Sequence, residues 1–257
     1  MNANLLGTDW HMLLKEELKK PYFLQLVKTI TEEYNRYKIC PPPNDVFKVF
    51  LLTPPQDVKV IILGQDPYPF GDHAHGLAFS SKQREVPASL RMVFREVDRD
   101  VVKTRTQQEY NEAFPTNNLT AWAKQGVFLL NSMLTVRAGL PGSHGAIGWQ
   151  EFTLAVLKLL YNDDKPKVFM SWGGEAHAVT NQLKPLGVHN HIILEAGHPA
   201  SGSHGKDQYS GCNHFSKANH YLRKRGLTEI NWTLNGKEQE KIQQVQMPPL
   251  SEDSQEG

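Results

Sequence analysis

The sequence has almost no cysteine: Cys40 and Cys212 are the two in 257 residues, far apart and matching no metal spacing. That usage excludes a disulfide framework and fits free thiols in a reducing compartment. No apolar run approaches the ~20 residues that a membrane span requires. The first residues, MNANLLGTDW, lack the charged and apolar regions of a secretion signal. These absences predict a soluble intracellular protein, nuclear or cytoplasmic according to its source, with no membrane partner. Charge excess is missing too. A formal net charge of +1 announces no nucleic acid by itself, although a local basic face needs no such excess. There is no GxxxxGK[ST] loop, no GxGxxG turn and no GxSxG elbow, so phosphate cradles, dinucleotide turns and the nucleophile-elbow hydrolases have no motif here.

What is present is a chain long enough to bury a substantial core, organised around the stretch VKVIILGQDPYP at 58–69. Its unbroken apolar run suits a strand covered on both faces. Gly64 then permits a turn, and Pro67 and Pro69 stiffen the loop that carries Gln65, Asp66 and Tyr68. Asp66 reads equally well as a helix cap or as a functional carboxylate. Around this stretch the pattern predicts helices over 9–20, 22–37, 44–52 (capped by Asn44), 89–101 and 119–124. The segment 102–118 reads as an irregular surface excursion. Further strands are expected over 127–130, 167–172 and 191–196, alternating with helices over 149–161, from 173 to 183, and over 213–224.

Strands alternating with helices predict an α/β fold: a single domain over 9–234, with a central four-stranded parallel sheet flanked by helices on both faces. Residues 1–8 read as an N-terminal extension and 235–257 as a polar, disordered tail. In a parallel sheet all strand ends lie along one edge. Asp66, Asn131, the Gly173-Gly174 turn and His198 therefore face one crevice, the place where open α/β sheets bind ligands.

The chemistry of that set is one carboxylate, one amide, one imidazole and aromatic side chains at Tyr68 and Phe79. Histidine groupings (His73 with His75, His189 with His191, His198 with His204 and His214) lack the three or four suitably spaced ligands of a zinc site, so no metal site is expected. An amide offers donor and acceptor to a planar edge. Beside an aromatic face it suits a nucleobase drawn out of its stack. The plainer readings are that Asn131 caps a turn and that Phe79 is core, and for Phe79 alone the core reading is favoured.

From Trp10 to Trp232 the sequence resembles the main uracil-DNA glycosylase family. GQDPY at 64–68 is similar to its water-activating loop, AHGLAFS at 74–80 to its uracil-stacking segment and VPASL at 86–90 to its DNA-compressing loop. LLNSMLTVRAG at 129–139 resembles its uracil-reading strand end, and GHP at 197–199 with GCNHFSKAN at 211–219 its catalytic-histidine loop and following helix. The resemblance implies cofactor-independent hydrolysis of the N-glycosidic bond of deoxyuridine in single- or double-stranded DNA, by a monomer with no lyase step. It makes Asp66 and His198 catalytic, and Gln65, Tyr68, Phe79 and Asn131 uracil-binding. It places Pro87, Ser89, Gly173, Gly174, Ala200, Ser201, Gly202, Ser203 and Tyr209 along the DNA.

Three departures from the family pattern stand out. Pro69 replaces the usual histidine, and Gly173-Gly174 replaces glycine-serine. After His198 the family reads HPSPLS with a leucine wedge, whereas this chain reads HPASGSHGKDQYSG, with Gly202 opposite the leucine and one extra residue. Glycine cannot fill a vacated stack, so Tyr209 or another loop residue substitutes, or flipping relies on backbone compression. Competing readings are an inactive DNA-binding or interaction module of the same fold and a hydrolase of free nucleosides. A protein inhibitor, and a replication clamp met through QVQMPPL, are the further partners considered.

Overall fold

The computed structural model describes residues 6–187, 190–201 and 208–236. Nine helices occupy these residues: α1 (Thr8–Leu14), α2 (Pro21–Arg36), α3 (Lys48–Leu52), α4 (Ala88–Val97), α5 (Gln107–Ala113), α6 (Thr120–Ala123), α7 (Trp149–Tyr161), α8 (Gly174–Thr180) and α9 (His214–Lys224). The strands are β1 (Ile39–Cys40), β2 (Val60–Gly64), β3 (Val127–Asn131), β4 (Val136–Arg137), β5 (Lys167–Trp172) and β6 (His191–Ala196). Four of them form one parallel sheet in the order β3-β2-β5-β6. The pair β1 and β4 forms a small antiparallel ribbon.

The apolar runs explain the sheet. Every residue of β2, β3 and β5 is buried, as expected where helices cover both faces. All five tryptophans are at most 2% exposed, and four indole N–H groups have partners. Trp10 donates to the Thr53 carbonyl, Trp122 to the Trp232 carbonyl, Trp149 to Thr135 Oγ1 and Trp172 to His214 Nδ1. Polar handles on buried rings thus fix where each helix or loop docks on the sheet.

Several expectations are corrected. The helix expected over 9–20 divides into α1 and a 3-10 turn at Glu17–Lys19, which ends where Pro21 holds Lys20 extended (ψ 145°). Asn44 sits inside a 3-10 turn, and α3 starts after Phe47 with no side-chain cap. Beyond α4 the chain makes one π-turn, Asp98–Val102, and stops at left-handed Lys103. The excursion 102–118 contains α5, capped by the Thr106 hydroxyl. At the ends, Leu6 is 4% exposed and joins the core, so packing begins within the expected extension. Of the expected tail, 237–257 lies outside the described residues.

Candidate active site

The site grows from the pairing of two strand ends. Gly64 stands opposite Asn131 in the β2–β3 ladder, and a methyl group at Gly64 would overlap Asn131 Oδ1 and crowd Ala78. Only glycine lets the amide lie across the strand end. Ser132 and Met133 donate their backbone N–H groups to the Gly64 and Gln65 carbonyls (both 2.9 Å), which ties the stiff loop to β3. Ala78 donates to the Leu129 carbonyl at 3.0 Å and brings Phe79 alongside. The result is a small cavity of about 40 Å³ lined by Gln65, Asp66, Tyr68, Phe79 and Asn131. Five of the residues singled out in the sequence therefore meet in one place.

Tyr68 forms one wall and is itself fixed. Its hydroxyl donates to the Phe79 carbonyl at 3.0 Å, so Ser89 Oγ, 2.9 Å away, is the donor to the phenol oxygen. Burial pushes the Tyr68 phenol up to about 12, leaving it neutral. Phe79 has a left-handed backbone (φ 63°) and its ring packs edge-on against Trp172 at 5.5 Å. Ser89 thus faces the wall of the cavity, while Pro87 precedes α4 at its N-cap position.

Asp66 lines the cavity and accepts the Gly142 N–H at 2.8 Å. The loop bearing Gly142 is held by a network with no counterpart in the sequence reading. Arg137 makes a bidentate pair with Glu33 of α2 (2.6 and 2.7 Å) and lies 3.9 Å over the Tyr37 ring. Its donors hold the Glu33 carboxyl below its ordinary range. His144, fully buried, contacts Thr135 Oγ1 through Nδ1 and Glu33 through Nε2. Burial keeps this imidazole neutral, so Nε2–H faces the carboxylate and Nδ1 accepts from Thr135. Glu33 and Arg137 lie 104 residues apart in sequence, a distance over which no local pattern signals a pair.

His198 follows β6 and stands beside the cavity, its ring 6.3 Å from Phe79. The Ala200 N–H donates to Nδ1 at 3.1 Å, which puts the imidazole proton on Nε2 in the neutral ring. Burial lowers the pKa of His198 from its ordinary value, favouring that neutral form. Ser201 donates both its N–H and its hydroxyl to the His198 carbonyl. Gly173 (φ 87°) packs against this turn: a Cβ there would stand 2.8 Å from His198 Cβ, whereas at Gly174 it would meet nothing within 4 Å. Ala200 and Ser201 are exposed, and Gly202 and Ser203 lie outside the described residues.

The expectation for Tyr209 is corrected. It is 2% exposed, with its ring edge-on to Trp172 at 5.1 Å. A side chain held in the core behind Phe79 cannot enter a base stack. Among the histidines weighed as ligands, His73 is bonded to Ser81, His75 to Ser80, His191 to the Tyr161 carbonyl and the Lys167 N–H, and His214 to Trp172. His189 and His204 lie outside the described residues. A further unanticipated element is Glu96, 2% exposed, which accepts from Arg99 and from the Gly211 and Asn213 N–H groups. It clamps the segment preceding α9 onto α4.

A family model of the uracil DNA glycosylase superfamily matches residues 50–223. The uracil-DNA glycosylase of Fusobacterium nucleatum is 41% identical over 235 residues, covering 91% of this chain and 98% of its own. That of Oceanobacillus iheyensis is 43% identical over 233 residues, covering 90% and 96%. The crystal structure of mimivirus uracil-DNA glycosylase superposes with a TM-score of 0.76 at 27% identity, covering 91% of this chain and 90% of that one. A substituted mimivirus UNG in complex with UGI gives 0.78 at 27% identity, covering 91% and 92%. The matched stretch contains all four strand ends that build the cavity and its rim, and the chain belongs to the uracil DNA glycosylase superfamily.

Proposed function

We propose that this chain excises uracil from DNA by hydrolysing the N-glycosidic bond of a flipped deoxyuridine, the step that initiates base-excision repair. The observation that carries the reading is the Asn131 amide laid across Gly64 in a cavity that also holds Asp66 and Tyr68. Asn131 reads the uracil N3–H and O4 edge. Cytosine presents the opposite donor pattern and leaves the buried amide unpaired, a mismatch that discriminates strongly. Tyr68, fixed between Phe79 and Ser89, stands against C5 and excludes the methyl of thymine. Phe79 stacks on the ring, and the Gln65 backbone touches the base.

The bond breaks through an oxocarbenium-like sugar. The Asp66 charge favours that cation, and its oxygen not engaged by Gly142 orients the attacking water. His198 donates from Nε2 to the uracil O2 as negative charge builds there. Such a donor is most effective where it is preorganised and water is excluded. With Tyr209 in the core, the wedge falls to another residue of the loop, of which 202–207 lie outside the described residues, or extrusion relies on compression of the strand by Pro87 and the turns at Gly173-Gly174 and 200–201. The lack of a tyrosine wedge favours single-stranded over duplex substrate. The likeness to the UNG–UGI complex supports a protein inhibitor as a second partner; a clamp peptide at QVQMPPL falls outside the described residues.

The test is uracil release from single- and double-stranded oligonucleotides, with cytosine and thymine substrates as controls. Release from uracil alone is expected, with Asp66→Asn lowering kcat roughly 10²- to 10³-fold, the scale of one lost electrostatic contact. Equal rates for the intact chain and Asp66→Asn would overturn the reading.

A further inference from the structure

The described residues include a few large apolar side chains exposed to solvent, and most are scattered singly on helices, which needs no explanation. Phe70 (61% exposed) and Leu140 (54% exposed) are different. Each sits on a loop that holds Asp66: Phe70 follows GQDPYP directly, and Leu140 precedes Gly142, the backbone donor to Asp66 Oδ2. The two loops are bonded to each other next to these residues, Gly139 N–H to the Pro69 carbonyl at 2.7 Å. Pro67 and Pro69 stiffen one loop, and the Arg137–Glu33 pair anchors the other. An aromatic and an aliphatic side chain are thus presented to solvent on rigid backbone, on the two loops that meet at Asp66 beside the cavity.

We propose that Phe70 and Leu140 form a stacking rim for the base of a nucleotide adjacent to the flipped one. The inference rests on the uracil-excision reading and extends that site outward. Continuity with the cavity makes DNA the occupant. The rim fits a base face and not a phosphate, since Lys82 and Arg137, which border the two loops, are paired with Asp45 and Glu33, and Asp72, exposed, stands two residues beyond Phe70. Stacking on an aromatic face is indifferent to base identity. Single-stranded DNA, whose bases are free to leave their own stack, is the substrate that gains most.

The experiment uses the full chain and short single-stranded oligonucleotides with one uracil, comparing Phe70→Ala, Phe70→Trp, Leu140→Ala and, as a surface control, Leu24→Ala. Phe70→Ala is expected to raise KM roughly 5- to 100-fold with kcat within about twofold, while Phe70→Trp and Leu24→Ala leave KM unchanged. Removing the base from the flanking nucleotide, 5′ in one substrate and 3′ in another, should raise KM equally for the intact chain at one of the two positions. At that position it should add nothing in Phe70→Ala. An unchanged KM in Phe70→Ala, or losses that multiply, would overturn the proposal. An intact chain that releases no uracil defeats the activity reading instead. Anisotropy binding of the same oligonucleotides then judges the rim alone: weaker binding by Phe70→Ala supports it and equal binding overturns it.

Discussion

Phe79 holds the most informative backbone in the site. A left-handed conformation at a bulky residue costs about 1–3 kcal/mol and persists only where its surroundings over-determine it. Here the Ala78 N–H on β3, the Tyr68 hydroxyl on the Phe79 carbonyl and the ring against Trp172 supply that constraint. The face of a single aromatic ring is thereby aimed by three elements. His198 is aimed by its own loop, and its protonation state is testable. Its pKa lies below the ordinary 6.5 because of burial, and the proposed chemistry uses the neutral ring. Activity is therefore expected to be level from pH 8 to 7 and to fall on the acid side only below pH 6.5. His198→Gln should remove that acid limb from the kcat profile. A limb centred above pH 7, or one that survives His198→Gln, would assign it to another group.

At the scale of elements, the strand ends decide where side chains can go. The turn from β5 into α8 brings Gly173 against His198 and leaves the space beside Gly174 open. Gly173→Ala is expected to displace the His198 loop and cut kcat/KM by 10-fold or more, with strain from its positive φ. Gly174→Ser is expected to fold normally and to change kcat/KM less than threefold. Steady-state kinetics with melting curves separate the two, and similar losses for both would contradict the packing argument. The long elements were legible in the sequence for a physical reason: β3, α7, β5 and β6 fall where the apolar runs and helical spacing place them. The ribbon of β1 and β4 is two residues per strand, too short for any period to register. Helix α5 was hidden because, among its seven residues QQEYNEA, only Tyr110 and Ala113 are apolar. Asp66 and Asn131 were readable because turns follow buried strands, whereas Phe79, read alone as core, was singled out by the family resemblance. The Glu33–Arg137–His144 network and the Glu96 clamp were not, since each joins residues about a hundred positions apart. Tyr209 misled because an aromatic residue in a polar loop looks exposed, whereas tertiary packing on Trp172 claims it.

For the whole molecule, buried neutral histidines tie folding to pH. Burial lowers His75 and His214 to about 4 in the folded chain, with nearby lysines reinforcing the shift. In the unfolded chain both take up protons near 6.5. As pH falls below 6.5, the unfolded state binds protons that the native state refuses, so stability drops until about pH 4 and is unaffected above pH 7. The loss is on the order of 3 kcal/mol for each histidine. Urea midpoints measured from pH 7.5 to 4.5 are expected to fall, with His75→Gln removing part of the trend and the other shifted groups, His144, His198 and Glu33 among them, carrying the rest; a flat profile would refute it. At the same scale, the chain between Ser201 and Tyr209 is tied at both ends. Ser201 is bonded to the His198 carbonyl, and Tyr209 and Gly211 are fixed by Trp172 and Glu96. Lengthening a connection between anchored ends costs little, about 0.6 kcal/mol for each doubling. An insertion there therefore need not disturb Asp66, Asn131 or His198. Length can therefore be added between these two anchors at little cost to the fold that holds the cavity.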